Sequence, residues 1–479
     1  MLFNSIEFLV FLPLVFVLYW FVFSRNKIFQ NSFLLLTSYV FYSFWDWRFS
    51  FLLAFSTFLD YSLGIIIDRV LNIQRKKLWM RLSIITNIGL LCYFKYFNFF
   101  IDSFINLINS FGFYADSYTL SIILPIGISF YTFHGVSYVL DIYYGRISAD
   151  KNIIDYSLFV SYFPLLIAGP IERANHLLPQ LKGKRKFRYL QGVEGCRLIL
   201  WGMFKKVVIA DSLAPIVNDI FSNYQNYNSA TLIIGLVGFA FQIYGDFSGY
   251  TDIARGVSKL FGIELILNFN FPFFSKSIPE FWSRWHMSLS LWLNDYVFTP
   301  LALKYRHHGK HGLFIAVFFT FLIAGLWHGS AWHFVFYGAY FGLLYLPSIY
   351  GKKGIKSMVK KKNEGFMSKD IPKIFLTFTL VCIGFLFFRA GGMDQALGYL
   401  KCILIGIVKN PSQFLSLPKG MIAFVYIIII ILGDCFLRTD AIKYRVPKNT
   451  IFRKILYLVL MYSIFSKMQD ETNFLYFQF

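Results

Sequence analysis

The chain has 479 residues, of which 57% are hydrophobic and 15% charged, including 59 phenylalanines and 10 tryptophans, and its mean hydropathy is +0.56. This composition excludes a disordered chain and a set of soluble domains, and it predicts a polytopic membrane protein. A net charge of +21 then reads as a basic cytoplasmic surface facing anionic lipid rather than as a nucleic-acid site.

The first apolar stretch, 8–23, has the look of a signal core. Residues 1–8 bring no basic region, and no small-x-small cleavage pattern follows, so a retained first span is expected. Further apolar segments follow at 31–47, 50–67, 82–100, 119–140, 154–169, 193–214, 230–250, 285–302, 312–327, 332–348, 372–388, 420–436 and 452–466. Several fall short of the roughly 20 residues of a straight span, so some are re-entrant or broken, inside protein or against a water-filled cavity. The expectation is an all-α polytopic membrane protein with about 11–14 membrane-embedded or re-entrant helices. Basic runs at 69–81, 182–188, 303–311, 352–362 and 443–454 are placed on the cytoplasmic side. Cys92, Cys196, Cys382, Cys402 and Cys435 are scattered and odd in number, which suggests neither a disulfide framework nor a zinc site.

Ionisable groups inside such segments are costly and are read first as functional. In FQIYGDFSGYTDIARG (241–256), Asp246 and Asp252 flank two glycines, and Arg255 is spaced to pair with Asp252 on one helical face. This stretch is predicted to be a bent or discontinuous helix lining a cavity, with simple cross-helix ties as the competing role for its three charges. Next, Pro279 precedes EFWSRWHMSLSLW, read as one helix on which Trp282, Trp285, His286, Leu289 and Leu293 form a stripe while Arg284 and Ser288 point elsewhere. An interfacial helix with a tryptophan girdle accounts for that stripe as well as a functional His286 does.

In TFLIAGLWHGSAWHF (320–334), His328 follows eight apolar or small residues and precedes Gly329 and Ser330, so a break in the helix is expected there. An imidazole beside such a break suits proton abstraction from a hydroxyl, because one ring nitrogen can be oriented while the other stays available. A satisfied core histidine is the competing reading. His333 would not share a helical face with His328 and is read as structural. The histidines of YRHHGKH (305–311) sit in a basic loop suited to phosphate groups. No metal-ligand spacing, serine elbow, phosphate loop or dinucleotide fingerprint is present, so no metal is expected.

Taken together, STFLDYSLG (56–64), LPIGISFYTFHGVSYVLDIYYG (124–145), YFPLLIAGPIER (162–173), GMFKKVVIADSLA (202–214), the two stretches from 241 and 269, AGLWHGSAWHFVFYG (324–338) and the aromatic end FLYFQF resemble the membrane-bound O-acyltransferase family. The similarity is to its bacterial branch of alginate and peptidoglycan O-acetylation membrane proteins and, more distantly, to teichoic acid D-alanyl transfer proteins. The resemblance implies one membrane domain over 1–479, a ring of helices around a thinned central cavity, with peripheral helices at 1–118, a catalytic core at 119–348 and C-terminal helices at 349–479. It implies His328 as the catalytic residue and His286 as the second motif histidine. Trp282, Arg284, Trp285, Asp246, Asp252, Arg255, Trp327, Asp295 and Asn294 become candidates for lining the pocket or holding the donor. The implied chemistry moves an acetyl group from cytoplasmic acetyl-CoA, a substrate rather than a resident cofactor, to a hydroxyl reached from outside. The implied partners are an extracytoplasmic serine hydrolase-like transferase or acceptor protein, anionic lipid, and an exported glycan as final acceptor, in a bacterial cytoplasmic membrane. D-alanyl transfer from a carrier-protein thioester is the alternative within the family, and a transporter with discontinuous helices is the alternative outside it. Two departures stand out: Ser283 replaces the first arginine of an Arg-Arg-Trp-His pattern, and ALKYRHHGK follows VFTPL where the branch continues Gly-Gly-Asn-Arg.

Overall fold

Backbone groups that leave water must bond within their own segment, and a chain this apolar meets that demand with helices. The computed structural model describes residues 1–113, 120, 122–351, 368–409, 420–437, 449–468 and 475, and among them there is no β-strand. Five described helices are long and apolar enough to cross a membrane: Arg48–Arg69, Ile73–Ser110, Ser229–Leu260, Arg306–His328 and Ile371–Arg389. Shorter apolar helices include Ile6–Val22 and Ile422–Phe436. The basic run at 352–362, the first half of that at 443–454 and all of FLYFQF but Leu475 lie outside the described residues.

The chain divides into two compact units, one built from Met1–Ile199 with Thr251–Ile266, the other from Leu200–Tyr250 with Leu267–Phe479. In the first, helix Ile128–Tyr143 buries all its residues but Leu140 and Tyr143 and packs against Arg48–Arg69 and Ile73–Leu91. It starts later than the apolar run suggests, because Gly127 turns through a left-handed conformation (φ 78°) just before it. A Cβ at Gly135 would collide with the Asp60 carboxylate, which Ser83 (2.7 Å) and Asn87 (2.9 Å) also engage. The 154–169 run is likewise not one segment but two short helices, Ile153–Ser161 and Phe163–Leu166.

Two expectations about helix continuity are corrected. Ser229–Leu260 is one uninterrupted helix, although 241–256 reads as a broken one. Its glycines serve close packing instead. A Cβ at Gly249 would lie 2.8 Å from the Gly202 carbonyl oxygen, and one at Gly245 would lie 3.0 Å from that of Lys205. The discontinuous helix on which a transporter reading leaned is therefore not formed at 241–256. Conversely, the stretch after Pro279 is not one helix but two, Ile278–Trp282 and Met287–Leu293, so its aromatic stripe does not lie along a single helical face.

The second unit also carries two widened, π-type turns, at Phe204–Ala210 and Asn294–Phe298. Such insertions re-aim neighbouring side chains. In the first of them both Lys205 and Lys206 are buried.

Candidate active site

Two abrupt turns in the second unit bring the site together. At the first, helix Gly309–His328 ends on His328, and Gly329 is extended (φ −161°, ψ 159°). Three residues later the chain enters helix Trp332–Leu344. Gly329 admits no side chain, because a Cβ there would run into the Phe334 ring. The two helices pack closely through Gly325 and Gly338, where a Cβ would strike the carbonyl oxygens of Phe334 and Phe321 respectively.

At the second turn, Ser277 caps helix Ile278–Trp282 by accepting from the Glu280 N–H (3.3 Å), with Pro279 in the first turn. The helix then stops, and Arg284 folds back onto Glu280 (2.9 Å). His286 adopts a left-handed conformation (φ 44°, ψ 51°) before Met287–Leu293 begins. A non-glycine residue in that region stores of the order of 1–3 kcal/mol of strain and needs support from its surroundings.

Asn268 provides that support. Its backbone carbonyl accepts from the Met287 N–H (2.9 Å), while its Oδ1 accepts from the Ser288 N–H (3.1 Å) and Ser288 Oγ (2.8 Å) and lies 3.2 Å from His286 Nδ1. A backbone N–H can only donate, so the atom facing Ser288 is the amide oxygen, and Nδ1 of His286 must carry a proton to bond to it. In its neutral form His286 therefore carries its lone pair on Nε2.

His286 and His328 are both buried, and their ring centroids are 6.5 Å apart. Trp327 packs on both, at 5.8 Å and 4.9 Å. Phe247 meets His286 edge-on at 4.8 Å, while Phe388 and Tyr337 meet His328 edge-on at 5.1 Å and 5.8 Å. The two imidazoles line one small closed cavity of about 10 Å³, with Ile243, Phe247, Trp285, Tyr337, Phe385 and Phe388 as its walls. Among the described residues no carboxylate, lysine or arginine lines it, so the imidazole nitrogens sit in an apolar setting where electrostatic interactions are strong.

The other expected site residues are dispersed. Asp246 forms a buried ion centre with Lys206 (2.7 Å), which also holds Asp211 (2.8 Å); Asp246 Oδ2 accepts from the backbone N–H of Leu475 (2.9 Å). Asp252 and Arg255 do pair (3.4 Å), but they belong to the first unit, not to the unit that carries the histidines. Trp282 packs on Phe321 and Phe341, and neither it nor Arg284 lines the cavity. Asn294 bonds to Asp295 (3.3 Å) in an exposed setting outside the cavity. His333 donates through Nδ1 to the Phe387 carbonyl (2.9 Å), since a carbonyl only accepts.

Sequence reasoning missed Asn268 and Lys206. Asn268 lies 18 residues before His286 in a non-helical stretch, where no periodicity flags a partner. Lys206 stands in the quoted FKKVV run, but the carboxylate that explains it is on another helix. Among the described residues no group of three or more His, Cys, Asp or Glu side chains is disposed to hold a metal ion.

A family model described as the membrane-bound O-acyltransferase family matches residues 144–389. The chain is 36% identical over 445 residues to a probable alginate O-acetylase AlgI of Azotobacter vinelandii, covering 90% of this chain and 85% of that protein. It is 33% identical over 460 residues to a peptidoglycan O-acetyltransferase of Helicobacter pylori, covering 87% and 83%. A teichoic acid D-alanyltransferase of Bacillus subtilis is 31% identical over 274 residues, covering 55% and 68%.

Proposed function

The chain belongs to the membrane-bound O-acyltransferase family, and from that premise we propose that it moves an acetyl group from cytoplasmic acetyl-CoA across the membrane for O-acetylation of an exported polysaccharide or cell-wall glycan. The protein is an all-α, multi-pass acyltransferase of a bacterial inner membrane. Acetyl, rather than D-alanyl, is the group favoured, because the relatives named for acetylation of alginate or peptidoglycan align with far more of the chain than the D-alanyltransferases do. An extracytoplasmic transferase or acceptor protein takes the group onward to the glycan.

The pair of buried imidazoles on one cavity carries this reading. His328 removes the proton from the attacking hydroxyl, and the oxygen forms a bond to the thioester carbonyl carbon. The carbonyl oxygen takes up negative charge. When the tetrahedral centre collapses, the carbon–sulfur bond breaks and the proton held by His328 passes to the leaving thiolate, so an ester and free CoA result.

The oxyanion needs a donor. Neutral His286 is unsuited to that task, since its proton is committed to Asn268 and Nε2 offers only a lone pair. The Trp327 indole N–H and the backbone amides after His328 are the remaining candidates. His286 instead accepts a hydrogen bond from the hydroxyl or orders it toward His328. The cavity between the imidazoles is small and walled by aromatic rings. This favours small acyl groups.

Purified protein with its acceptor should release free thiol from acetyl-CoA and do so more slowly from longer acyl-CoA donors. Release only from a D-alanyl carrier-protein thioester would overturn the acetyl reading.

A further inference from the structure

The first unit holds a second, larger hollow that the reaction above does not use. It has a volume of about 750 Å³ and is open to solvent, within the ~300–1,000 Å³ range of small-molecule sites. Its rim is the segment KRKFR, 184–188, between helices Ala174–Lys182 and Tyr189–Met203.

This segment is not helical. Arg185 is buried, while Phe187 is half-exposed and rests its ring on neighbouring aromatics. Arg185 reaches Asn31 and Gln30 through Nη2 and lies 5.7 Å over the Tyr19 ring, and Phe187 packs edge-on against Trp20 (5.7 Å) and Phe16 (5.9 Å). Lys184, Lys186 and Arg188, which alternate in sequence with these two, are exposed, and all line the hollow. None of the three makes an ion pair among the described residues.

The opposite wall is fixed. Gln180 and Glu264 are joined twice, by Gln180 Nε2 to the Glu264 carbonyl (2.9 Å) and by the Glu264 N–H to Gln180 Oε1 (2.8 Å). Gly262 closes the helix before it in a left-handed turn (φ 76°), with the Ile263 N–H bonding to the Ser258 carbonyl (2.9 Å). Two carboxylates also border the hollow, Glu194 and Glu264, but Lys259 holds both, at 3.3 Å and 2.7 Å. The charge left uncompensated is therefore positive.

We propose that this cleft binds a phosphate-bearing anion, with Lys184, Lys186 and Arg188 as its cationic rim. Cations that line a hollow without an ion-pair partner bind phosphate oxygens through charge-assisted bonds. Such an anion can come from a soluble diphosphate group or from the headgroup of an anionic phospholipid. The inference stands independently of the acyl-transfer reading.

The full-length protein should be tested by direct binding in two arms: inorganic pyrophosphate titrated onto protein in phosphatidylcholine nanodiscs, and phosphatidylglycerol retained from an equal mixture with phosphatidylcholine. Lys184→Ala/Lys186→Ala/Arg188→Ala removes exposed side chains only. Arg75→Ala/Lys76→Ala/Lys77→Ala removes equal charge elsewhere and serves as the control. The cleft variant should weaken binding on the order of tenfold or more in at least one arm, with little change in the control. Loss in the pyrophosphate arm identifies a soluble ligand, and loss confined to the lipid arm identifies a headgroup. Unchanged binding in both arms, or an equal loss in the control, would overturn the proposal.

Discussion

Asn268 acts on His286 in two ways, by paying the hydrogen bonds that hold a strained backbone and by fixing which ring nitrogen carries the proton. Asn268→Ala should therefore lower turnover by about tenfold to a hundredfold, with donor KM less affected, because a mis-set tautomer impairs the proton step rather than binding. Ser288→Ala, which loses one bond to the same oxygen and leaves His286 Nδ1 its partner, should change turnover less than threefold or so. Equal effects from the two variants would reduce Asn268 to a backbone support. A different histidine governs a pH effect on stability. His176 sits in the helix beside the basic rim, and its hydrogen bond to the buried Glu172 carboxylate (2.7 Å) is the main reason its pKa is raised. A raised folded-state pKa stabilises below the ordinary imidazole value near ~6.5, and the benefit disappears as pH climbs through the folded value. The difference in melting temperature between wild type and His176→Asn should thus be larger at acidic pH than at alkaline pH. A difference that grows toward alkaline pH would contradict the pairing.

At the scale of elements, the hairpin of Gly309–His328 and Trp332–Leu344 depends on two glycines that leave no space for a side chain. Gly325→Val should cost about 1–3 kcal/mol or more through overpacking, read as a lower melting temperature in detergent together with lost activity. The ion centre is the second dependency. Lys206→Met strands two carboxylates, and removing one partner from a buried ion pair costs about 3–5 kcal/mol, so it should destabilise more than Asp246→Asn does. The reverse order would mean that Asp211 is solvated well enough not to need Lys206. These elements also show what local sequence can and cannot reveal. The break at His328 was legible because Gly329 and Ser330 follow a long apolar run. Glycines at 245 and 249 were misread as breaks, since a glycine that permits a bend and one that permits a neighbour's close approach have the same local signature. The split at His286 was hidden because SRWH has ordinary helical residues, and Asn268, from outside the helix, supplies the bonds that support the left-handed turn.

For the molecule as a whole, composition predicts a polytopic membrane protein and the apolar segments an all-α one, and the five long apolar helices bear that out. Both histidines singled out by their sequence settings meet on one cavity. Most of the accompanying polar candidates do not, because spacing along one helix reports which residues share a face and is silent on which helix that face meets. Asp252 and Arg255 illustrate this: their pairing at i and i+3 was readable, whereas their membership of the other compact unit was not. The part His328 plays is tested most directly by thiol release from acetyl-CoA, comparing wild type with His328→Ala in the presence of the acceptor and confirming by gel filtration and thermal melting that the variant is folded. Loss of a general base is worth about 10²–10⁴ in rate, so release by the variant should drop by that factor with donor binding retained. Release by folded His328→Ala at the wild-type rate would contradict the proposed chemistry.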